Sequence, residues 1–170
     1  MGETKITKDL EKRELIIERV LDAQRDRVWA AYTDADKLAK WWGPRGWETT
    51  IKNFDFRPEG VWHYCMKCVD KDQGSFYGQE SWGKAVFHHI DEPNSFTYTD
   101  YFSDAEGAIN NELPATEVMM DFIEEDGKTR LVCKSTYAST EGLQQVLDMG
   151  MVEGLTQTLD RLEEFVTGRD

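Results

Sequence analysis

The sequence predicts an α+β fold, in which a curved antiparallel sheet of about six or seven strands wraps around a long C-terminal helix, with two short helices after the first strand. Three observations support this prediction. Segments rich in β-branched and aromatic residues, separated by turn residues, fill the middle of the chain. Large apolar residues alternate within several of these segments, which gives the sheet one apolar face. The C-terminal segment changes to a helical period.

The first strand is predicted over residues 13–20, a segment rich in β-branched residues and bounded by Asp22. A chain of 170 residues is close to the common size of one domain. We therefore expect residues 1–12 to form an N-terminal extension and residues 13–168 to form a single domain.

Two short helices are predicted next. Val28, Trp29 and Tyr32 recur at helical spacing, which indicates the first. The second should cover residues 34–41. The segment Gly43-Pro44-Arg45-Gly46 ends it, because proline cannot continue a helical hydrogen-bond ladder and glycine frees the backbone.

The middle of the chain reads as a meander of strands. Six are predicted, over residues 47–56, 61–69, 76–90, 95–102, 116–124 and 129–137. The breaks between them contain Gly, Pro, Asp and Asn in combinations that reverse the chain. Hairpin connections of this kind make the sheet antiparallel.

The C-terminal segment is predicted to form one amphipathic helix. From Leu143 to Val166, apolar and small residues recur every three or four positions. The concave side of the sheet is the apolar surface long enough to cover such a helix, so we expect the helix to lie across it. Gly150 and Gly154 fall on the inner face, where they either bring the sheet close or leave room for a ligand.

Charge limits the partners. Lys and Arg number 20 against 33 Asp and Glu, a formal net charge of −13. Such a chain repels phosphate backbones and anionic lipid surfaces, so we expect neither nucleic acid nor membrane as a partner. No stretch is apolar enough to span a bilayer or to act as a signal peptide, which indicates a cytoplasmic protein.

The cysteines and histidines give no sign of a metal or cofactor site. Three cysteines cannot form a closed disulfide framework, so free thiols are expected. Cys65 and Cys68 are three residues apart on a strand and should point to opposite faces. His88 and His89 are adjacent and should also diverge. We expect no metal, no cofactor and no catalytic constellation.

Four segments, in order, resemble the signature of the activator of heat-shock protein 90 ATPase homologue family, part of the START-like (SRPBCC) helix-grip group. They are RVWAAYTD at 27–34 with LAKWWGP at 38–44, RPEGVW at 57–62, GKAVF at 83–87 leading to Pro93, and GLTQTLDRL at 154–162. The resemblance extends from about residue 13 to 166. It departs from the family pattern at Gln24, where proline is usual, and at Glu59, where glycine is more common.

The resemblance implies a helix-grip fold with an internal cavity between sheet and helix. Proteins of this fold include lipid and hormone carriers, polyketide cyclases and a co-chaperone domain, and the fold alone does not select among them.

Eight side chains are candidates for contact with a ligand in this cavity. Of the adjacent tryptophans Trp41 and Trp42, one should line the mouth of the cavity and the other should anchor the second short helix to the sheet. We expect Trp42 to be the one at the mouth. Inward-facing strand residues should form the wall: Trp62, Tyr64, Met66, Tyr98, Met120, Phe122 and Cys133. The alternative for each is ordinary core packing.

Three functions follow from these observations. The leading hypothesis is binding of a hydrophobic small molecule, lipid-like or aromatic, without catalysis. The second is a protein-interaction module that stimulates a chaperone ATPase. The third is a cyclase or hydratase, which would need a buried ionisable residue in the cavity, with Asp100 and Asp121 as candidates. Both a monomer and a homodimer are compatible with the sequence.

Overall fold

A computed structural model describes residues 3–168. The strands are β1 Thr4–Asp9, β2 Glu14–Leu21, β3 Trp47–Phe54, β4 Val61–Cys68, β5 Glu80–Asp91, β6 Ser95–Ser103, β7 Thr116–Glu125 and β8 Lys128–Thr136. The helices are α1 Arg25–Thr33, α2 Ala35–Trp41, α3 Thr140–Asp148 and α4 Met151–Thr167, and a short 3-10 segment spans Lys71–Phe76. The predicted α+β helix-grip fold is confirmed.

The strands form one antiparallel sheet in the order β1-β2-β8-β7-β6-β5-β4-β3. From β3 to β8 each strand pairs with the next along the chain, as expected for a meander. The N-terminal hairpin of β1 and β2 is added beside β8. The sheet thus contains eight strands within residues 3–168, one more than the upper end of the prediction.

The additional strand is β1. It pairs with β2 from Thr4↔Arg19 to Asp9↔Glu14 and forms one edge of the sheet. Its sequence, TKITKD, contains a single apolar residue, so hydrophobic alternation gives little signal for it. Residues 4–9 of the predicted N-terminal extension are therefore hydrogen-bonded to the sheet. The boundary at residue 13 stays a prediction.

Aromatic packing fills one end of the concave face. Trp29 and Tyr32 on α1 pack edge-to-face against Phe122 on β7, with ring centroids 5.0 Å and 5.4 Å apart. Phe96 on β6 lies 5.7 Å from the Trp29 ring. Helix α1 therefore closes this end of the sheet with a solid core, and open space can remain only towards the other end.

The C-terminal helix α4 crosses the concave face, but it begins at Met151 and not near Leu143. Gly150 adopts a left-handed conformation with φ of 84° and separates α4 from the shorter helix α3. Ser139 caps α3 by accepting a hydrogen bond from the Gly142 amide at 2.9 Å. The apolar period continues through Gly150, so periodicity alone does not reveal the break.

A buried ion pair attaches α4 to the sheet. Arg19 on β2 is 2% exposed and points inward among apolar neighbours. Its guanidinium donates to Glu163 at 2.7 Å and to Asp160 at 2.6 Å, both on α4. Because a buried charge without a partner costs several kcal/mol, this pairing fixes the position of the helix on the sheet.

Candidate ligand-binding cavity

A cavity of about 320 Å³ lies between the concave face of the sheet and the two C-terminal helices. The helices contribute Val146, Met149, Gly150, Met151, Gly154, Leu155 and Thr158, and the loop after α2 contributes Trp42, Gly43 and Pro44. The sheet provides the floor and side walls. The cavity lies at the end of the sheet that α1 leaves uncovered.

Glycines explain why α4 does not fill this space. A Cβ atom added at Gly150 or Gly154 would meet no atom within 4 Å. On the opposite wall a Cβ at Gly83 would come 2.4 Å from the Tyr64 ring, so glycine at this position allows that ring to lie across β5. Of the two explanations offered for these glycines, the structure agrees for Gly154 with the one that leaves room beneath the helix, whereas Gly150 is exposed and provides the left-handed backbone between α3 and α4.

The two adjacent tryptophans divide their roles. Trp41 is 1% exposed and its indole N–H donates to the carbonyl of Ala31 at 3.0 Å, which anchors α2. Trp42 follows the helix and lines the cavity. Its indole nitrogen is buried and has no acceptor within residues 3–168.

Arg161 on α4 holds the loop that carries Trp42. Its guanidinium donates to the carbonyls of Gly43 at 2.8 Å, Lys40 at 3.1 Å and Trp47 at 3.2 Å. Burial is the largest influence on this group and lowers the pKa of Arg161 from its usual value. The sequence did not predict this role for Arg161, because an arginine on an amphipathic helix is usually exposed to solvent.

The charged feature of the cavity is Asp100 on β6. Its side chain lies on the same face as Tyr98 and Phe102, and the Tyr64 hydroxyl lies 3.2 Å from both carboxylate oxygens. Burial raises the pKa of Asp100 to about 7, and the hydrogen bond from Tyr64 lowers it only in part. Asp100 retains some accessible surface because the cavity reaches it, yet protein surrounds it on all other sides.

Four other titratable side chains in the wall have raised pKa values and are uncharged near neutral pH. Burial raises the pKa of Cys133 to about 11 and that of Tyr137 to about 12. It also raises the pKa values of the Tyr64 and Tyr98 phenols well above their usual range. The Tyr137 hydroxyl lies 3.2 Å from the Met151 sulfur. The cavity is thus an apolar chamber with hydroxyl groups and one carboxyl group.

The structure places five of the eight predicted site residues in the cavity wall, namely Trp42, Tyr64, Met66, Tyr98 and Cys133. The other three, Trp62, Met120 and Phe122, face inward but are buried in the core. Whether any of the eight contacts a ligand stays a prediction.

Two of the three core residues, Trp62 and Phe122, are covered by other aromatic side chains. Trp62 stacks on Tyr64 with centroids 4.5 Å apart and packs edge-to-face against Trp42 at 4.9 Å. Phe122 lies beneath α1, where Trp29 covers it. Strand alternation identifies the face on which a residue lies, but not what covers it.

Of the two candidate acids, Asp100 lies in the cavity and Asp121 does not. Asp121 falls between Met120 and Phe122, both buried on the inner face, so its side chain projects from the outer face. An enzyme would need a buried ionisable residue in the cavity, and of these two aspartates Asp100 meets that condition.

None of the three histidines lines the cavity, and Cys133 is the one cysteine that does. His63 is buried on the outer face, with Nε2 2.9 Å from the Asp104 carbonyl oxygen. His88 and His89 are exposed. Cys65, Cys68 and Cys133 are free thiols. Across residues 3–168 no group of three metal-ligating side chains is close enough to hold an ion.

An eight-stranded antiparallel sheet, a helix lying across it and a cavity between them define a START-like helix-grip protein. Residues 22–167 match the family described as Activator of Hsp90 ATPase homolog 1-like protein (AHSA1). The chain belongs to this family, as its sequence motifs indicated. The comparison with curated proteins found no match.

Several solved structures share the fold over nearly the whole chain. Protein Ms6760 from Mycobacterium smegmatis is 34% identical, with a TM-score of 0.86, and the alignment covers 98% of this chain and 97% of that one. A protein from Arthrobacter aurescens is 29% identical, with a TM-score of 0.87 and coverage of 96% and 91%. A Staphylococcus epidermidis protein is 26% identical, with a TM-score of 0.81 and coverage of 98% and 95%.

Within the described part of the chain, no helix combines the length and apolar character needed to cross a bilayer.

Proposed function

We propose that this protein binds a hydrophobic small molecule, lipid-like or aromatic, in the cavity between the sheet and α4. Family membership supports a ligand-binding or co-chaperone-like module. The observation that favours ligand binding is the cavity itself, because α4 presents glycine where a side chain would fill it. Neither a cofactor nor a metal ion is part of this proposal.

The size and lining of the cavity indicate a compact ligand. A volume of about 320 Å³ is at the lower end of the range of ligand pockets, about 300–1,000 Å³. Aromatic and aliphatic side chains such as Tyr98, Val118 and Leu155 provide an apolar surface.

The test fills the cavity from the helix side. Gly154→Leu places a bulky side chain in space that is open now, and it should not unfold the protein because leucine favours a helix by about 0.8 kcal/mol over glycine. Gly154→Ala is the matched control, since it improves the helix and adds only one methyl group. Native mass spectrometry of each protein, purified from its own host, would show any non-covalent adduct.

We expect an adduct of a few hundred daltons on the wild type and on Gly154→Ala, and none on Gly154→Leu. Equal adducts on all three proteins would place the ligand outside the cavity. If the wild type carries no adduct and is not thermally stabilised by a library of lipids and aromatic compounds, the binding proposal fails.

We propose that binding takes place in the cytoplasm. The three thiols are free, which suits a reducing compartment, and the net charge of −13 disfavours anionic membrane surfaces and nucleic acid as partners.

A chaperone ATPase is the alternative partner, favoured by the description of the family as activators of such an enzyme. A contact through the outer surface would be independent of the cavity. Stimulation of the ATPase of the host's own chaperone, equal for the wild type and Gly154→Leu, would support this alternative and count against the cavity as the functional site.

A cyclase or hydratase is the third candidate, and the position of Asp100 in the cavity favours it. A carboxyl group with a pKa of about 7 can exchange protons with a bound substrate near neutral pH. Uptake of solvent deuterium into a bound ketone, abolished by Asp100→Asn, would support catalysis, whereas ligands recovered unchanged and unlabelled support binding alone.

A further inference from the structure

We infer that the ligand carries a protonated amine on an apolar body, and that the amine binds to the Asp100 carboxylate. This inference rests on the proposed function, since it names the chemical class that the cavity selects. Three observations support it: the charges in the wall, the hydrogen bonds of the carboxylate, and the aromatic rings that line the cavity with it.

The first observation is the sign of the charge in the wall. Asp100 is the one acidic residue that lines the cavity, and no lysine, arginine or histidine is present among the lining residues of the described chain. A fatty acid or a phosphate ester would bury a second negative charge beside the first without a counter-charge. A cationic ligand would neutralise the existing one.

The second observation is the incomplete hydrogen bonding of the carboxylate. An ionised carboxylate has about four acceptor sites. Within residues 3–168 the Tyr64 hydroxyl is its hydrogen-bond donor, shared between both oxygens at 3.2 Å, and no cationic side chain lies within 4 Å. Glu163, a comparably buried acid, is paired with Arg19. An ammonium group, with up to three N–H donors, would complete the unused sites of Asp100.

The third observation is the ring system beside the carboxylate. Tyr64, whose hydroxyl contacts the carboxylate, meets Trp42 edge-to-face with ring centroids 6.0 Å apart. Tyr98 lies two residues before Asp100 on the same face of β6. Aromatic faces attract cations within about 6 Å, and most strongly where water is excluded. A neutral alcohol would gain the hydrogen bond to Asp100 but not this attraction.

The role of the Asp100 charge in ligand binding can be tested by varying the pH. Besides Asp100, four tyrosines and one cysteine line the wall: Tyr64, Tyr98, Tyr101, Tyr137 and Cys133. Raised pKa values keep Tyr64, Tyr98, Tyr137 and Cys133 neutral between pH 5 and 8.5. The helices α3 and α4 contribute no charged side chain to the lining. Asp100 is therefore the lining group that changes charge in this range.

The experiment compares three ligands of one shape: phenylbutylamine, phenylbutanol and phenylbutyrate. Their affinities would be measured by calorimetry at pH 5.5 and 8.5 with the wild type, Asp100→Asn, and Asp121→Asn as the matched control on the outer face. The amine stays protonated at both values, because alkyl amines titrate near pH 10.4.

With the wild type we expect the amine to bind more tightly than the alcohol at pH 8.5, and the acid most weakly. Affinity for the amine should rise by up to about 30-fold between pH 5.5 and 8.5, as the ionised fraction of Asp100 rises. Asp100→Asn should remove both the preference for the amine and its pH dependence, while binding of the alcohol remains. Asp121→Asn should behave as the wild type.

Two results would overturn the inference. One is equal affinity for amine and alcohol at pH 8.5; the other is a preference for the amine that survives in Asp100→Asn. Either would leave the proposed function intact, because the ligands would still bind. If none of the three compounds binds and Gly154→Leu also has no effect on the native adduct, the proposed function itself has failed.

Discussion

Replacing Asp100 by asparagine should stabilise the protein in the absence of ligand, and by an amount that grows with pH. The Asn side chain keeps an oxygen to accept the Tyr64 hydroxyl but carries no charge. In the wild type the folded state binds the Asp100 proton more tightly than the unfolded chain does. Stability is therefore lost as pH rises from about 4 to about 7, the reverse of the behaviour of a salt-bridged acid.

The magnitude follows from the two pKa values. An unfolded aspartate titrates near 3.9 and folded Asp100 at about 7, and each unit corresponds to 1.36 kcal/mol. The full penalty above pH 7 is thus about 4 kcal/mol, of which about 1.5 kcal/mol is already present at pH 5. Because the cavity admits water to the carboxyl group, we expect the stability difference to grow by about 1–3 kcal/mol between pH 5 and 8.

Urea unfolding followed by circular dichroism, at pH 5 and pH 8, would measure this growth. Subtracting the wild-type value from that of Asp100→Asn removes the contributions of all other titrating groups. Asp121→Asn on the outer face of β7 controls for replacing a strand aspartate. A difference that is the same at both pH values, or that shrinks towards pH 8, would refute the reasoning about the cavity carboxyl.

Three further changes test how the cavity is held together. Arg161→Ala leaves several loop carbonyls without their donor and should cost about 2–3 kcal/mol; faster proteolysis at the loop that contains Trp42 would show the local effect, and an unchanged cleavage rate would contradict it. Arg19→Ala removes the guanidinium that pairs with the buried carboxylate of Glu163 and should cost about 3–5 kcal/mol in urea unfolding, whereas Arg19→Met combined with Glu163→Gln should recover most of that loss. Asp34→Ala removes the acceptor for two amides at the start of α2 and should lower stability by about 1 kcal/mol; Asp36→Ala, in the first turn but not at the cap, is its control.

Sequence patterns predicted most of the sheet because each central strand combines β-branched or aromatic residues with turn residues at both ends. They failed at β1, where Lys5 and Lys8 are exposed on an edge strand and little apolar surface is buried. They also failed at Gly150. The left-handed backbone there interrupts the helix without interrupting the apolar period.

The cavity was harder to predict than the fold, for a physical reason. Alternation assigns a residue to the inner face, but tertiary packing decides whether that face meets a helix or open space. Phe122 meets Trp29 on α1, whereas Tyr98 faces the cavity, and no local feature of their strands distinguishes them. The absence of a side chain at Gly154 was the useful sequence signal for where the open space lies.

The place of β2 in the sheet has a consequence for the order of folding. This strand pairs with β8 from Glu14↔Thr136 to Leu21↔Thr129, so its partner lies about two thirds of the chain length away. Closing so long a loop is entropically costly and slows folding. During synthesis, β2 can pair with β1 but not with β8 until the ribosome has released β8, and the apolar side chains of β2, among them Leu15 and Ile17, lack the rest of the core until then. The hairpin of β1 and β2 is therefore synthesised before the other strands, but it joins them in the sheet only when β8 is available.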